Sequence, residues 1–174
     1  MICNKCNGKG KNDFKPIPFG CGSMGYNFPA AVGFALSKKI KKEEGNVYCL
    51  ISDGECQIGS TWEAAMIAAH HQLDNLILIV DKNGLQAMGE TRDVLNIDPL
   101  HDKFKSFGWH AEGLDGHDLQ TLEARLTLPP TGNPRVFIAE TTKGQGVSFM
   151  RNNNLWHYSH VSEETLNNAL KELT

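Results

Sequence analysis

Residues 52–65 read SDGECQIGSTWEAA, between an apolar run, VYCLI (47–51), and an Ala-rich segment, AAMIAAHHQ (64–72). An acidic residue and a glycine thus stand where a buried strand gives way to a helix. The same punctuation returns at DKNGLQ (81–86), after the apolar run NLILIV (75–80). Both interruptions fall at the carboxyl end of a strand. Working outward, the pattern predicts a helix over 28–42 closed by Glu-Glu-Gly, a strand over 47–52, a helix over 60–72 and a strand over 75–81. It continues with a helix over 99–108, a short strand WHAEGL, a helix over 118–126, a strand over 135–141 and a last helix, SEETLNNALKEL. Short, continuous apolar strands alternating with helices specify an α/β fold, a parallel twisted sheet with helices on both faces. In such sheets ligands bind beyond the carboxyl ends of the strands, where SDG, DKNG and ETTKGQG (140–146) all fall.

The chain has 174 residues, enough for one domain with a real core and too few for two of ordinary size. We expect a binding domain over 20–174 preceded by a short arm, 1–19, rich in Asn, Lys and Gly. With 40% hydrophobic and 21% charged residues the composition is that of a globular protein, and a formal net charge of −3 offers no basic field for nucleic acid. No apolar run approaches a bilayer span, and the start, MICNKCNGKGK, lacks the hydrophobic segment of a signal peptide. A cytoplasmic protein with neither membrane nor nucleic-acid partners is expected. Five scattered cysteines, with Cys49 inside an apolar strand, fit a reducing compartment better than a disulfide framework.

Taken in order, GSMGYNFPAAVGFAL, SDGECQIGSTWEAAMIAAHHQLDNLILIVDKNGLQ, FGWH, DGHD, TTKGQGVSFM and LWHY resemble the thiamine-diphosphate-binding half of transketolases. The similarity is greater to the amino-terminal subunits of split, two-gene transketolases, and it runs from about Gly20 to the carboxyl terminus. The resemblance implies thiamine diphosphate as cofactor with Mg2+, or another divalent ion such as Ca2+ or Mn2+. A hard cation of this kind prefers six oxygen ligands, several supplied by the phosphates themselves. By resemblance, Asp53 supplies a carboxylate, Asn83 its side-chain oxygen and Leu85 its backbone carbonyl. One strand-helix-strand unit separates Asp53 from Asn83 and returns the chain to the same end of the sheet. Ser52, Gly54 and Glu55 fall beside the diphosphate, with Gly54 permitting close approach and the amides opening the next helix facing the phosphates. Either the Asp53-Gly54 or the Asn83-Gly84 pair alone reads equally well as a turn; both at adjacent strand ends favour a shared ligand.

The resemblance extends to Gly22, Ser23 and Met24, which match the segment running beside the cofactor's aminopyrimidine and thiazolium; a Gly-rich turn with one core methionine is the competing reading. Lys143 lies over the diphosphate or is a solvated lysine. His157, in LWHY, matches the family's active-site histidine near the reaction centre, against a structural histidine beside Trp156. Asp118 reads as a cap for the helix after it, and His70 and His71 as packing or helix-end charges.

Three departures bear on function. Ser52 stands where transketolases commonly carry glycine, which is tolerable if φ is negative. Ile58 replaces a glutamate of an interface network between paired active sites, whereas Glu63 keeps the network's other position. Amino-terminal halves of typical transketolases also carry a longer stretch before the GSMG-like segment, including histidines that contact substrate, so donor and acceptor recognition is expected to differ. Cys3 and Cys6 form a C-x-x-C knuckle, but zinc needs four ligands and no second C-x-x-C exists; Cys21 and a histidine, or a partner chain, could complete it. The family's mechanism implies transfer of a two-carbon ketol unit from a ketose to an aldose. The activating glutamate lies on a pyrimidine-binding domain, expected here as a separately encoded subunit in an α2β2 heterotetramer. The alternatives are a 2-oxo acid decarboxylase or carboligase subunit of the same cofactor class, and a non-catalytic binding module.

Overall fold

A computed structural model describes residue 20 and residues 22–173. Along the chain run α1 (Asn27–Lys41), β1 (Val47–Ser52), a 3-10 turn (Asp53–Gln57), α2 (Gly59–His70), β2 (Leu76–Lys82), β3 (Leu85–Gln86), β4 (Gly89–Glu90) and α3 (Thr91–Leu95). Then follow α4 (Leu100–Ser106), β5 (His110–Asp115), α5 (Leu119–Leu126), β6 (Arg135–Glu140), a second 3-10 turn (Asn154–His157) and α6 (Glu163–Glu172). The main sheet has the order β1-β2-β6-β5 and every pairing in it is parallel, while β3 and β4 form a separate antiparallel ribbon.

Residue alternation along each strand decides what each face covers. Cys49, Ile51, Leu78, Val80, Val136, Ile138 and Ala111 point to one face, where they pack with buried residues of α1, α2 and α4. Aromatic rings stitch that layer together: Phe104 lies 5.2 Å from Trp62 and 5.7 Å from Trp109, and Phe28 lies 5.8 Å from Trp109, between ring centroids. Trp109 donates its indole N–H to the Ala65 carbonyl at 2.9 Å, so a buried polar atom is satisfied. On the other face Tyr48 donates to the Leu126 carbonyl, Arg135 to the Leu128 carbonyl, and Arg125 pairs with Glu112, which sets the end of α5 across the sheet. Both faces therefore carry helix, as the unbroken apolar strands require.

The elements differ from the sequence reading mainly at their ends. Helix α1 is closed by Lys42 itself, in the left-handed region at φ 56°, whose N–H reaches the Lys38 and Lys39 carbonyls; the expected closure by Glu-Glu-Gly does not occur. The Lys39 ammonium donates to the carbonyls of His71 and Gln72, so a lysine of α1 adds its charge at the end of α2, whose last turn also carries His70. Asp118 caps α5 as expected, accepting from the amides of Gln120 and Thr121, both at 3.1 Å. Register brings the strands to a common height: Ser52 aligns with Asp81, Asp81 with Ala139, and Asp115 with Glu140. The residues just beyond these ends share one rim.

Candidate functional site

At the exit of β1, Ser52 has φ −85°, the negative value on which its tolerance depends, and its Oγ accepts from the Glu55 amide at 3.3 Å. That bond closes a 3-10 turn. The amides expected to open α2 beside Asp53 therefore belong to the turn, and α2 itself starts at Gly59. Asp53 is 1% exposed. One carboxylate oxygen accepts from its neighbour Gly54 N at 2.8 Å, and the other accepts from Gly84 N at 2.8 Å and Thr91 Oγ1 at 3.1 Å. Burial outweighs these donors and pushes the carboxyl above its ordinary range, with Asp81 adding repulsion. None of the ion pairs among the described residues includes Asp53.

At the exit of β2, Asn83 donates its Nδ2 to Asp81 Oδ2 at 3.2 Å while its Oδ1 accepts from Leu85 N at 3.0 Å. Asp81 Oδ1 accepts from Thr141 Oγ1, just past β6. Lys82 turns the other way, to Asp98 at 3.1 Å and Glu140 at 3.8 Å. The two candidate ligands are thus brought together through Gly84: the Asp53 carboxylate binds the amide that follows Asn83. Their side chains line different hollows. Asp53 lines one of about 240 Å3 with Gly84 and Thr91, and Asn83 lines an open cleft of about 430 Å3 with Asp81, His117, Thr142 and Lys143.

The Gly22-Ser23-Met24 segment is exposed and is tied to the β1 exit by the glycine after it. Gly25 N donates to the buried Glu55 carboxylate at 3.1 Å, Ser60 Oγ donates to the Gly25 carbonyl at 2.8 Å, and Gly25 has φ +86°. A Cβ there would meet Ile58 Cγ2 and Ser60 Oγ, each at 2.9 Å, so glycine is required by conformation and by contact. Burial also pushes Glu55 upward. Ile58 thus packs beneath this turn, and Glu63 is exposed. Met24 is 56% exposed, an apolar side chain standing beside the turn and not a core methionine.

Lys143 sits in a loop closed on itself, its carbonyl accepting from Asn152 N at 2.9 Å. His117 Nε2 accepts from Thr142 N at 2.8 Å and helps shape the start of that loop. His157 closes the second 3-10 turn, exposed, 5.0 Å from the Tyr158 ring between centroids. Cys49 and Cys56 are buried, and burial pushes each thiol up to about 12, so neither is a nucleophile at neutral pH. The C-x-x-C of Cys3 and Cys6, and Cys21, lie outside the described residues.

The residues at the rim suit a hard cation carrying phosphates. A hard cation here could take a carboxylate and neutral oxygens, leaving the other positions to phosphate and water; among the described residues no cluster of three or more His, Cys, Asp or Glu exists. Gly54 has no Cβ, and one placed there would stand 3.3 Å from Gln86 Oε1, a buried acceptor with no hydrogen-bond partner among the described residues. Asp81, Thr91, Thr141 and Gln86 were missed by the sequence reading. Only Asp81 carried a signal, as an acidic residue closing an apolar strand two positions before Asn83.

The model of the family described as "Transketolase, thiamine diphosphate binding domain" matches residues 5–174. An apulose-4-phosphate transketolase subunit from Actinobacillus succinogenes is 40% identical over 158 residues, covering 90% of this chain and 57% of that protein. The SqwG subunit of a 6-deoxy-6-sulfo-D-fructose transketolase from a Clostridium species is 36% identical over 154 residues, 87% of this chain and 56% of that protein. The chain thus spans little more than half the length of these curated relatives. The crystal structure of transketolase from Campylobacter jejuni superposes with a TM-score of 0.81 at 28% identity, over 87% of this chain and 25% of that one.

Proposed function

The chain belongs to the transketolase family, in its thiamine-diphosphate-binding domain, and from that membership we propose that it is the diphosphate-binding part of a split transketolase that moves a two-carbon ketol unit from a ketose to an aldose. Relatives that are themselves named as single transketolase subunits support a separate partner. In this reading the partner carries the pyrimidine-binding domain and its activating glutamate, the assembly is an α2β2 heterotetramer in the cytoplasm, and residues 20–174 form the binding domain.

The observation that supports the reading most is Asp53: a buried carboxylate, without a cationic partner among the described residues, hydrogen-bonded to the turn that carries Asn83. A buried anion of this kind is costly unless something positive reaches it. Asp53, the Asn83 side-chain oxygen and the Leu85 backbone carbonyl would hold Mg2+, or Ca2+ or Mn2+ in its place, and through it the diphosphate. Ser52 and Glu55 keep the turn beside it closed, Gly54 leaves room for a phosphate, and Lys143 adds positive charge at the cleft. Gly22, Ser23 and Met24 present an exposed edge to the rings of the cofactor, and His157 stands exposed to meet substrate. When bound, thiamine diphosphate supplies the electron sink for cleaving the bond next to a carbonyl.

The chain alone is expected to be inactive with ketose donors, and active once mixed with a pyrimidine-binding subunit. Calorimetry on that mixture should show thiamine diphosphate binding that requires a divalent ion, weakened by roughly tenfold or more in Asp53→Asn. Ketol transfer by the chain alone, or cofactor binding indifferent to both the ion and residue 53, would refute the proposal.

A further inference from the structure

Resting on the reading that Asp53, Asn83 and Leu85 hold the divalent ion, we propose that Asp81 is a positioning residue, latching the Asn83 amide so that its oxygen and not its NH2 faces the ion. An amide side chain can present either end, and only the oxygen can bind a cation. Asp81 Oδ2 accepts from Asn83 Nδ2 at 3.2 Å, and Leu85 N donates to Asn83 Oδ1 at 3.0 Å. Reversing the amide would set its oxygen against a carboxylate and its NH2 against an N–H group, both repulsive. In the observed orientation Oδ1 spends one lone pair on Leu85 and keeps the other.

The latch is itself held. Thr141 Oγ1 donates to the second oxygen of Asp81, from the strand next to β2, so the carboxylate is gripped by one partner on its own strand's exit and one on its neighbour's. This follows the general design of ligand sites, in which an outer carboxylate fixes the orientation of an inner ligand. Asp81 makes no ion pair among the described residues. The two side-chain hydrogen bonds it makes among the described residues both serve this orientation.

A double-mutant cycle tests the role. The readouts are the dissociation constant for thiamine diphosphate with Mg2+, measured on the chain with its partner subunit, and the melting temperature of each ligand-free variant. Asp81→Ala is expected to weaken binding by roughly tenfold or more. Asp81→Asn, whose carbonyl can accept from Asn83 while its NH2 donates to Thr141, should recover most of that loss. Asn83→Asp abolishes the difference between the two ends and sets two carboxylates side by side, so adding Asp81→Ala to it should strengthen binding. The sign of the Asp81 effect inverts. A merely structural Asp81 would cost affinity and melting temperature alike in both backgrounds, and that result overturns the proposal, as would parent-like binding by Asp81→Ala. If Asp81→Ala does not fold, Thr141→Val loosens the same carboxylate and should weaken binding in the Asn83 background alone. Failure of the parent to bind thiamine diphosphate with Mg2+ would remove the underlying reading, and this one with it.

Discussion

Glu55 carries a buried carboxylate that accepts from the Gly25 amide, and burial raises its pKa. The sign of the consequence follows from linkage: between its unfolded and folded values the folded chain holds the extra proton, so stability is greatest below that window and declines as pH rises through the folded value. Glu55→Gln keeps an acceptor for Gly25 and removes the charge. Its ligand-free melting temperature should exceed the parent's at neutral pH and converge with it in acid; a constant offset across the range would contradict the burial argument. Asp53 obeys the same sign, yet there the charge has a use, since a cation can offset what burial costs. At this scale the Asp53-Gly54 and Asn83-Gly84 pairs stood out in the sequence because an Asp-Gly or Asn-Gly pair at a strand end is a local pattern, while the ligand roles expected of them came from the family resemblance. Thr91 and Thr141 were not, because each reaches its carboxylate from a distant segment, 38 and 60 residues away in sequence.

Among the elements, the loop after β6 is tightly specified. Gly144 has φ +70°, and a Cβ there would collide with the Met150 carbonyl, a backbone group that cannot swing aside. Gly144→Ala should destabilise the chain by about 1–3 kcal/mol and displace Lys143, lowering both melting temperature and cofactor affinity. Lys143→Ala should lower affinity with little change in melting. Equal effects in the two variants would mean that the loop does not hold Lys143 over the ligand. The loop in turn anchors α6, since Ser148 N and Oγ both donate to the Glu172 carboxylate, at 2.6 and 2.8 Å. Strands and longer helices were predicted to within a few residues at their ends, because 3.6- and 2-residue periodicities are local properties of the chain. The 3-10 turn at Asp53–Gln57 and the β3–β4 ribbon escaped: both are too short for any periodic pattern to mark, and the first is held by side-chain bonds, from the Glu55 amide to Ser52 Oγ and from Thr61 and Trp62 to the turn's carbonyls.

For the whole molecule, stability rests on the face where α1, α2 and α4 meet the sheet. Phe104 is wholly buried there between Trp62 and Trp109. Phe104→Ala should cost about 3–5 kcal/mol in urea unfolding, a large share of what a domain of this size possesses, while a loss below about 1 kcal/mol would show that the aromatic layer is not the core. No helix among the described residues is long and apolar enough to cross a membrane. By itself the sequence determined the parallel α/β architecture, the order of its elements and the rim where the motifs gather, because hydrophobic periodicity and turn chemistry act over a few neighbouring residues. Only the tertiary structure decided which groups meet at that rim. The bonds of Asp53 to Gly84 and Thr91, of Asp81 to Thr141, and of Glu55 to Gly25 join segments that become neighbours only when strand register brings their ends to one height. Register is set by packing across the whole sheet, which no short window of sequence contains.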